Sequence, residues 1–200
     1  MAWADAIVTA ALAHCDLAYE DQTTQAKYCA LMFPNDGAKQ ALAMARGMSS
    51  CALFALAVMR LAGLTHPLLK APYVTRIGRA VSDVVAVSKD LKAWRGHGKS
   101  ILLPEPEPGS LVVIGGAGGG GLEHVLVVVG RGRSIVDSID GGQGPRSTAV
   151  KYRKRRIENR NGELWLTTAD GPTNSTGRRV MGFLDPELIE VTAKIKGPAE

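Results

Sequence analysis

Pro104-Glu105-Pro106-Glu107-Pro108-Gly109 divides this sequence into two halves of different periodicity. Prolines at every second position can continue neither a helix nor a central strand, because proline has no N–H to give to either ladder. Upstream of the stretch apolar residues recur at helical spacing, and downstream they fall in short valine-rich and alternating runs. Helices first and strands second predict an α+β fold. The length suits one domain over residues 1–200, with a helical part over 1–103 and a sheet part over 108–185.

Working back from the linker, residues 2–19 are alanine-rich with apolar positions at helical spacing, and 22–33 continue the pattern. Pro34-Asn35-Asp36-Gly37 interrupts it, residues 38–46 resume it, and Gly47 stops it again. The run over 52–64 carries Leu53, Leu56, Ala57, Met59, Leu61 and Leu64, apolar around most of a helix circumference, which predicts a buried central helix. Residues 68–94 read as two further helical pieces. Forward from the linker, candidate strands are 111–114, 124–129, 134–139, 148–157, 163–168 and 179–184. Gly130-Arg131-Gly132-Arg133 and Asn159-Arg160-Asn161-Gly162 read as the turns of two hairpins.

The thiol placed at the start of the central helix is the most informative side chain. Cys51 follows the small-residue stretch Arg46-Gly47-Met48-Ser49-Ser50. The first N–H groups of a helix have no internal acceptor and the helix dipole adds positive potential there, so a thiolate is stabilised. Ser49 or Ser50 can cap that helix and supply a donor beside the thiol. Cys15 and Cys29 lie within apolar helical stretches, where a cysteine is a small core residue. With three cysteines and no CxxC spacing, neither a disulfide framework nor a zinc site is indicated, and at least one thiol stays free.

A cysteine nucleophile needs a base, and His124 opens the valine-rich run His124-Val125-Leu126-Val127-Val128-Val129. His14 falls in a helical stretch, His66 beside Pro67, and His97 between glycines. A base in turn needs an orienting group, and Asp137 and Asp140 on the next strand can both reach His124 across a hairpin. Strand alternation cannot choose between them, because one residue more or less in the connecting turn exchanges the faces.

Two other patterns lead elsewhere. Gly116, Gly118 and Gly121 match the dinucleotide spacing G-x-G-x-x-G, but that motif must open a helix and here a strand follows. No Lys-Ser or Lys-Thr completes a P-loop, so the run reads as a loop bordering the site. Lys151-Tyr152-Arg153-Lys154-Arg155-Arg156 is one short basic cluster with a single aromatic, so it reads as the charged face of a strand and not as a nucleic-acid footprint. Asn174-Ser175-Thr176 matches a glycosylation sequon by chance, in the absence of a secretory signal.

The series Cys51 at a helix start, Pro108-Gly109-Ser110-Leu111-Val112, His124 to Gly130, and Ile139-Asp140-Gly141-Gly142-Gln143 resembles the NlpC/P60 and CHAP superfamily of papain-like cysteine hydrolases over about residues 46–185. The resemblance implies a papain-like fold, with the cysteine-bearing helix packed on a C-terminal antiparallel sheet. It implies a peptidoglycan amidase or endopeptidase acting on stem peptides, with no metal and no cofactor. Cysteine before histidine is the unpermuted order of the superfamily. The Asp-Gly-Gly-Gln sequence resembles the Glu-x-Asn position of the CHAP enzymes and favours Asp140, whereas NlpC/P60 spacing favours Asp137; of the two, Asp140 is the preferred third member. The chain departs from the family at Ser50 and Ala52, which flank the cysteine, and at Ser110, where an aspartate is frequent.

On that reading Cys51 attacks an amide carbonyl, its own N–H with Ser49 or Ser50 holds the oxyanion, and His124 shuttles the proton. The same residues would serve a transamidase, deamidase or acyltransferase acting on protein or lipid; a third possibility is a silent module that binds cell wall or nucleic acid. Twenty-four Lys and Arg against nineteen Asp and Glu leave a charge of +5, which favours an anionic partner such as the wall polymer. No apolar run approaches the roughly eighteen residues of a membrane span. The N-terminus lacks the basic region of a signal peptide. The expectation is a monomer made in the cytoplasm that acts in the periplasm or outside, after delivery by a secretion system or lysis. An antibacterial effector with an immunity partner, or a phage lysin, fits that route.

Overall fold

Apolar spacing and helix stop signals set the helical elements in the computed structural model, which describes residues 2–15, 50–66, 69, 80–96, 103–115, 121–143, 149–169 and 177–189. Helix α1 (Trp3–Leu12) buries Ile7 and Ala11, four positions apart and therefore on one face. Helix α2 (Ser50–Leu61) is the central one: residues 51–59 are each at most 5% exposed, as its nearly all-round apolar character requires. It ends where Gly63 takes a left-handed conformation, φ +93°. The Gly63 and Leu64 N–H groups then donate back to Arg60 and Met59, and buried Leu64 seals the end.

Helix α3 (Ala80–Asp90) stops in the same way but with a lysine in the left-handed position, Lys92 at φ 55°. Lys92 and Ala93 donate to the Lys89 and Ser88 carbonyls. Of the two helical pieces expected over 68–94, α3 is one, and the other falls largely on residues outside the described ones; the expectation is corrected only at its end, where the helix stops at Asp90. Past the Lys92 reversal, Trp94 opens strand β1 (Trp94–Gly96), which pairs with the last strand, so the sheet takes one strand from the helical half. The helices expected over 22–33 and 38–46 lie outside the described residues.

The strands of the second half are β2 (Leu111–Ile114), β3 (His124–Arg131), β4 (Ile135–Gln143), β5 (Ala149–Arg160), β6 (Glu163–Thr168) and β7 (Arg178–Leu184). β5 and β6 are joined by Asn161 and Gly162 at φ 54° and 81°, the two left-handed residues of a tight hairpin whose twist matches its strands. All pairings are antiparallel, in the order β1-β7-β2-β3-β4-β5-β6, and β6 also pairs with β7. Strands β2 to β7 thus close into a ring, and β1 extends the free part of the β7 edge.

Closure gives the protein two apolar cores. Val112, Ile114, Leu126, Val128, Val136, Ile157, Leu166 and Phe183 fill the inside of the ring. The alternate residues Leu111, Val113, Val125, Val127 and Ile139 face outward and pack with α1 and α2. The proline-rich linker is fastened to this frame at both ends. Glu105 and Glu107 pair with the Arg131 guanidinium, and the Gly109 N–H donates to Val128 O over 2.8 Å. Gly109 sits at φ +91°, and a Cβ there would lie 2.6 Å from Ala4 Cα, so α1 crosses the linker at its one residue without a side chain.

Candidate active site

The central helix begins at the candidate thiol. Cys51 is the second residue of α2 and 5% exposed, in the turn whose N–H groups have no intrahelical acceptor. Ser50 is the first helical residue, and Ser49 lies outside the described residues. β3 begins at His124, and the Cys51 side chain hydrogen-bonds with its ring. The ring's Nε2 is 2.8 Å from Asp140 Oδ2, which leaves Nδ1 to face the thiol. The residues expected to form a catalytic line are therefore brought together from three elements: Cys51 from α2, His124 from β3 and Asp140 from β4.

Asp137 is not part of that line. Three residues from Asp140, it alternates to the other face of β4 and pairs with Lys154 at 3.5 Å. The register shift between Val128 and Gly130, where β3 bulges against β4, decides which aspartate meets the histidine.

Asp140 has no exposed surface and accepts from several donors. Ser138 Oγ donates to Oδ1 over 2.6 Å. Oδ2 takes Arg155 Nη2 as well as His124, and Arg155 Nε donates to Ser138 Oγ over 3.3 Å. Burial alone would push the carboxyl pKa up, but the His124 hydrogen bond, the Arg155 charge and the Ser138 hydroxyl outweigh it and hold the pKa below its ordinary value. For His124, burial opposes the charged ring, and the hydrogen bonds and negative charges of Asp140 and Cys51 override it, raising the pKa to about 9. The electrostatics favour an imidazolium beside a thiolate.

Ser138 and Arg155 are the residues that sequence reasoning did not assign to the site. Ser138 was within reach of it, since it lies two residues before Asp140 and so on the same face of the strand. Arg155 falls within the stretch that reads as a charged strand face, yet it pairs in register with Val136, which faces into the ring. Its strand neighbours Lys151, Tyr152, Lys154 and Arg156 are exposed, as expected of that segment.

The remaining candidates fall away from this site. His66 pairs with Asp90 at 3.0 Å, and burial lowers the pKa of His14 beyond the end of α1. The glycine-rich run joins β2 to β3, antiparallel partners with Ile114 opposite His124, so no helix opens after it and the dinucleotide reading is excluded. Residues 116–120 of that run, Cys29, His97 and the sequon at Asn174 lie outside the described residues. Among the described residues, no His, Cys, Asp and Glu cluster could hold a metal ion, and no helix is long and apolar enough to cross a membrane. No protein-family model matches the chain, and no curated protein or solved structure gives a significant match.

Proposed function

We propose that the protein is a cysteine amidohydrolase of papain-like NlpC/P60 type, acting on peptide amides of bacterial peptidoglycan. The observation that carries this reading is the hydrogen-bonded line from Cys51 through His124 to the enclosed carboxylate of Asp140. A structural cysteine in an apolar core needs no imidazole, and a structural histidine needs no buried carboxylate behind it.

In this reading the Cys51 thiolate attacks the amide carbonyl carbon. The tetrahedral oxyanion is met by the Cys51 N–H in the first turn of α2, where each such donor is typically worth about 3 kcal/mol. Protonated His124 gives its proton to the amide nitrogen as the C–N bond breaks, leaving a thioester on Cys51 and a free amine. Neutral His124 then takes a proton from water, whose oxygen attacks the thioester. The carboxylate product leaves and the thiolate–imidazolium pair is restored. Asp140 holds Nε2 throughout, so that Nδ1 remains the nitrogen that exchanges protons.

The exposed cations Lys151, Lys154 and Arg156 on β5 and the net charge of +5 favour approach to a polymer rich in stem-peptide carboxylates. The test is digestion of purified peptidoglycan by the protein and by Cys51→Ala, with mass spectrometry of released muropeptides. New amines and carboxylates from the wild type alone support the reading. An inert wild type removes the wall as substrate, and equal products from both proteins remove Cys51 as nucleophile.

A further inference from the structure

Arg155 is the charged member of the site that the reaction above does not use. Its side chain is 12% exposed and contacts Asp140 Oδ2, the oxygen that also takes His124 Nε2. It reaches the other carboxylate oxygen indirectly, since its Nε donates to Ser138 Oγ and that hydroxyl donates to Asp140 Oδ1. Asp140 therefore faces two cations on one oxygen, an imidazolium from β3 and a guanidinium from β5. A carboxylate whose charge is shared with a guanidinium attracts an imidazolium less strongly than an unshared one, and the two cations repel each other.

We propose that Arg155 is a positioning residue that tempers His124. It fixes the Asp140 carboxylate in place and holds the proton affinity of the ring below what Asp140 and the Cys51 thiolate would impose alone. This rests on reading Cys51, His124 and Asp140 as catalytic. A general acid that binds its proton too tightly delivers it poorly to a leaving amine, so a counterweight behind the aspartate brings the ring toward its working range.

Among the described residues, the charged groups around the pair are the Cys51 thiolate from α2, Arg155 from β5, two further β5 cations, and Glu123 beside His124, which is exposed and pairs with Arg178 at 3.1 Å. Lys151 pairs in register with Asp140, and Arg153 with Ser138. Lys151 is solvent-exposed and Arg153 half-buried. Water screens the exposed lysine, so Arg155, in direct contact with Asp140, exerts the larger effect.

The experiment follows the His124 ring resonance by NMR from pH 5 to 11 in the full chain, in the wild type, Arg155→Gln and Arg155→Lys. No substrate is needed, so a protein inert toward peptidoglycan and a failure of this proposal are separate results. The midpoint should rise by roughly one pH unit in Arg155→Gln, where the cation is gone, and stay near the wild-type value in Arg155→Lys. A midpoint that is unmoved or falls in Arg155→Gln, or that shifts equally in both variants, overturns the proposal. If Arg155→Gln does not fold, the wild type decides: the Arg155 Nε–H signal should inflect at the His124 midpoint, and a flat trace there overturns the coupling.

Discussion

His124 Nε2 and Asp140 Oδ2 are 2.8 Å apart, with the aspartate fully enclosed and the imidazole 13% exposed. That contact fixes which ring nitrogen faces Cys51, and the consequences below follow from it and from the frame that holds it.

Asp140→Asn presents an amide where the ring needs an anion. The imidazolium loses its counter-charge and the tautomer facing Cys51 is no longer enforced. On the proposed function, amide cleavage should fall by about 100-fold or more, within the range of general acid–base effects, while circular dichroism stays native. Asp137→Asn, on the other face of β4, should change the initial rate by less than about twofold. Equal losses in the two variants would contradict the assignment of Asp140.

The titration of His124 has a stability consequence. Its folded pKa of about 9 lies above the ordinary 6.5, so its contribution is fully present below pH 6.5 and is lost as pH rises through about 9. Asp140 acts at the other end: its folded pKa is depressed, so its contribution is present above the ordinary 3.8 and is lost as the medium is acidified through the folded value. Calorimetry should show Tm falling by about 5 °C between pH 6.5 and 9.5 in the wild type. In His124→Ala the alkaline slope should be markedly smaller.

Gly109 lies where the linker and α1 touch. Gly109→Ala places a Cβ 2.6 Å from the Ala4 backbone at a positive φ, so both strain and displacement of the helix follow. Urea denaturation should show a loss of about 2–3 kcal/mol, with the Cys51 and His124 chemistry retained below the transition.

The Asn161–Gly162 turn gives a milder effect. Gly162 at φ +81° also donates its N–H to Asn159 Oδ1 over 2.9 Å. Gly162→Ala should cost about 1 kcal/mol by urea denaturation and leave the proposed activity unchanged, since the β5–β6 hairpin turn holds no residue of the site.

Much of this molecule is readable from local pattern. The valine-rich run beginning at His124, the alternation of residues 163–168 and the Asn-Gly turn all specify their own conformations, but β3 continues through Gly130 and Arg131, which read as a turn, and β4 and β5 run past their expected ends to Gln143 and Arg160. Where Lys92 ends a helix, local pattern misleads. The left-handed position that usually calls for glycine is taken by lysine, so the stop is invisible and Trp94 reads as helix. Arg155 is hidden for a different reason. In a run of six residues with five cations, nothing local marks the one whose charge is buried.

The sequence by itself determined the α+β order, the thiol at a helix start and the histidine at a strand start, because helix periodicity, strand alternation and terminal placement are properties of neighbouring residues. Tertiary structure alone decided three things. It closed the sheet through β6 and β7, chose Asp140 over Asp137, and brought Arg155 and Ser138 onto the carboxylate. Each depends on register between strands, and a single bulge between Val128 and Gly130 sets which aspartate meets the histidine.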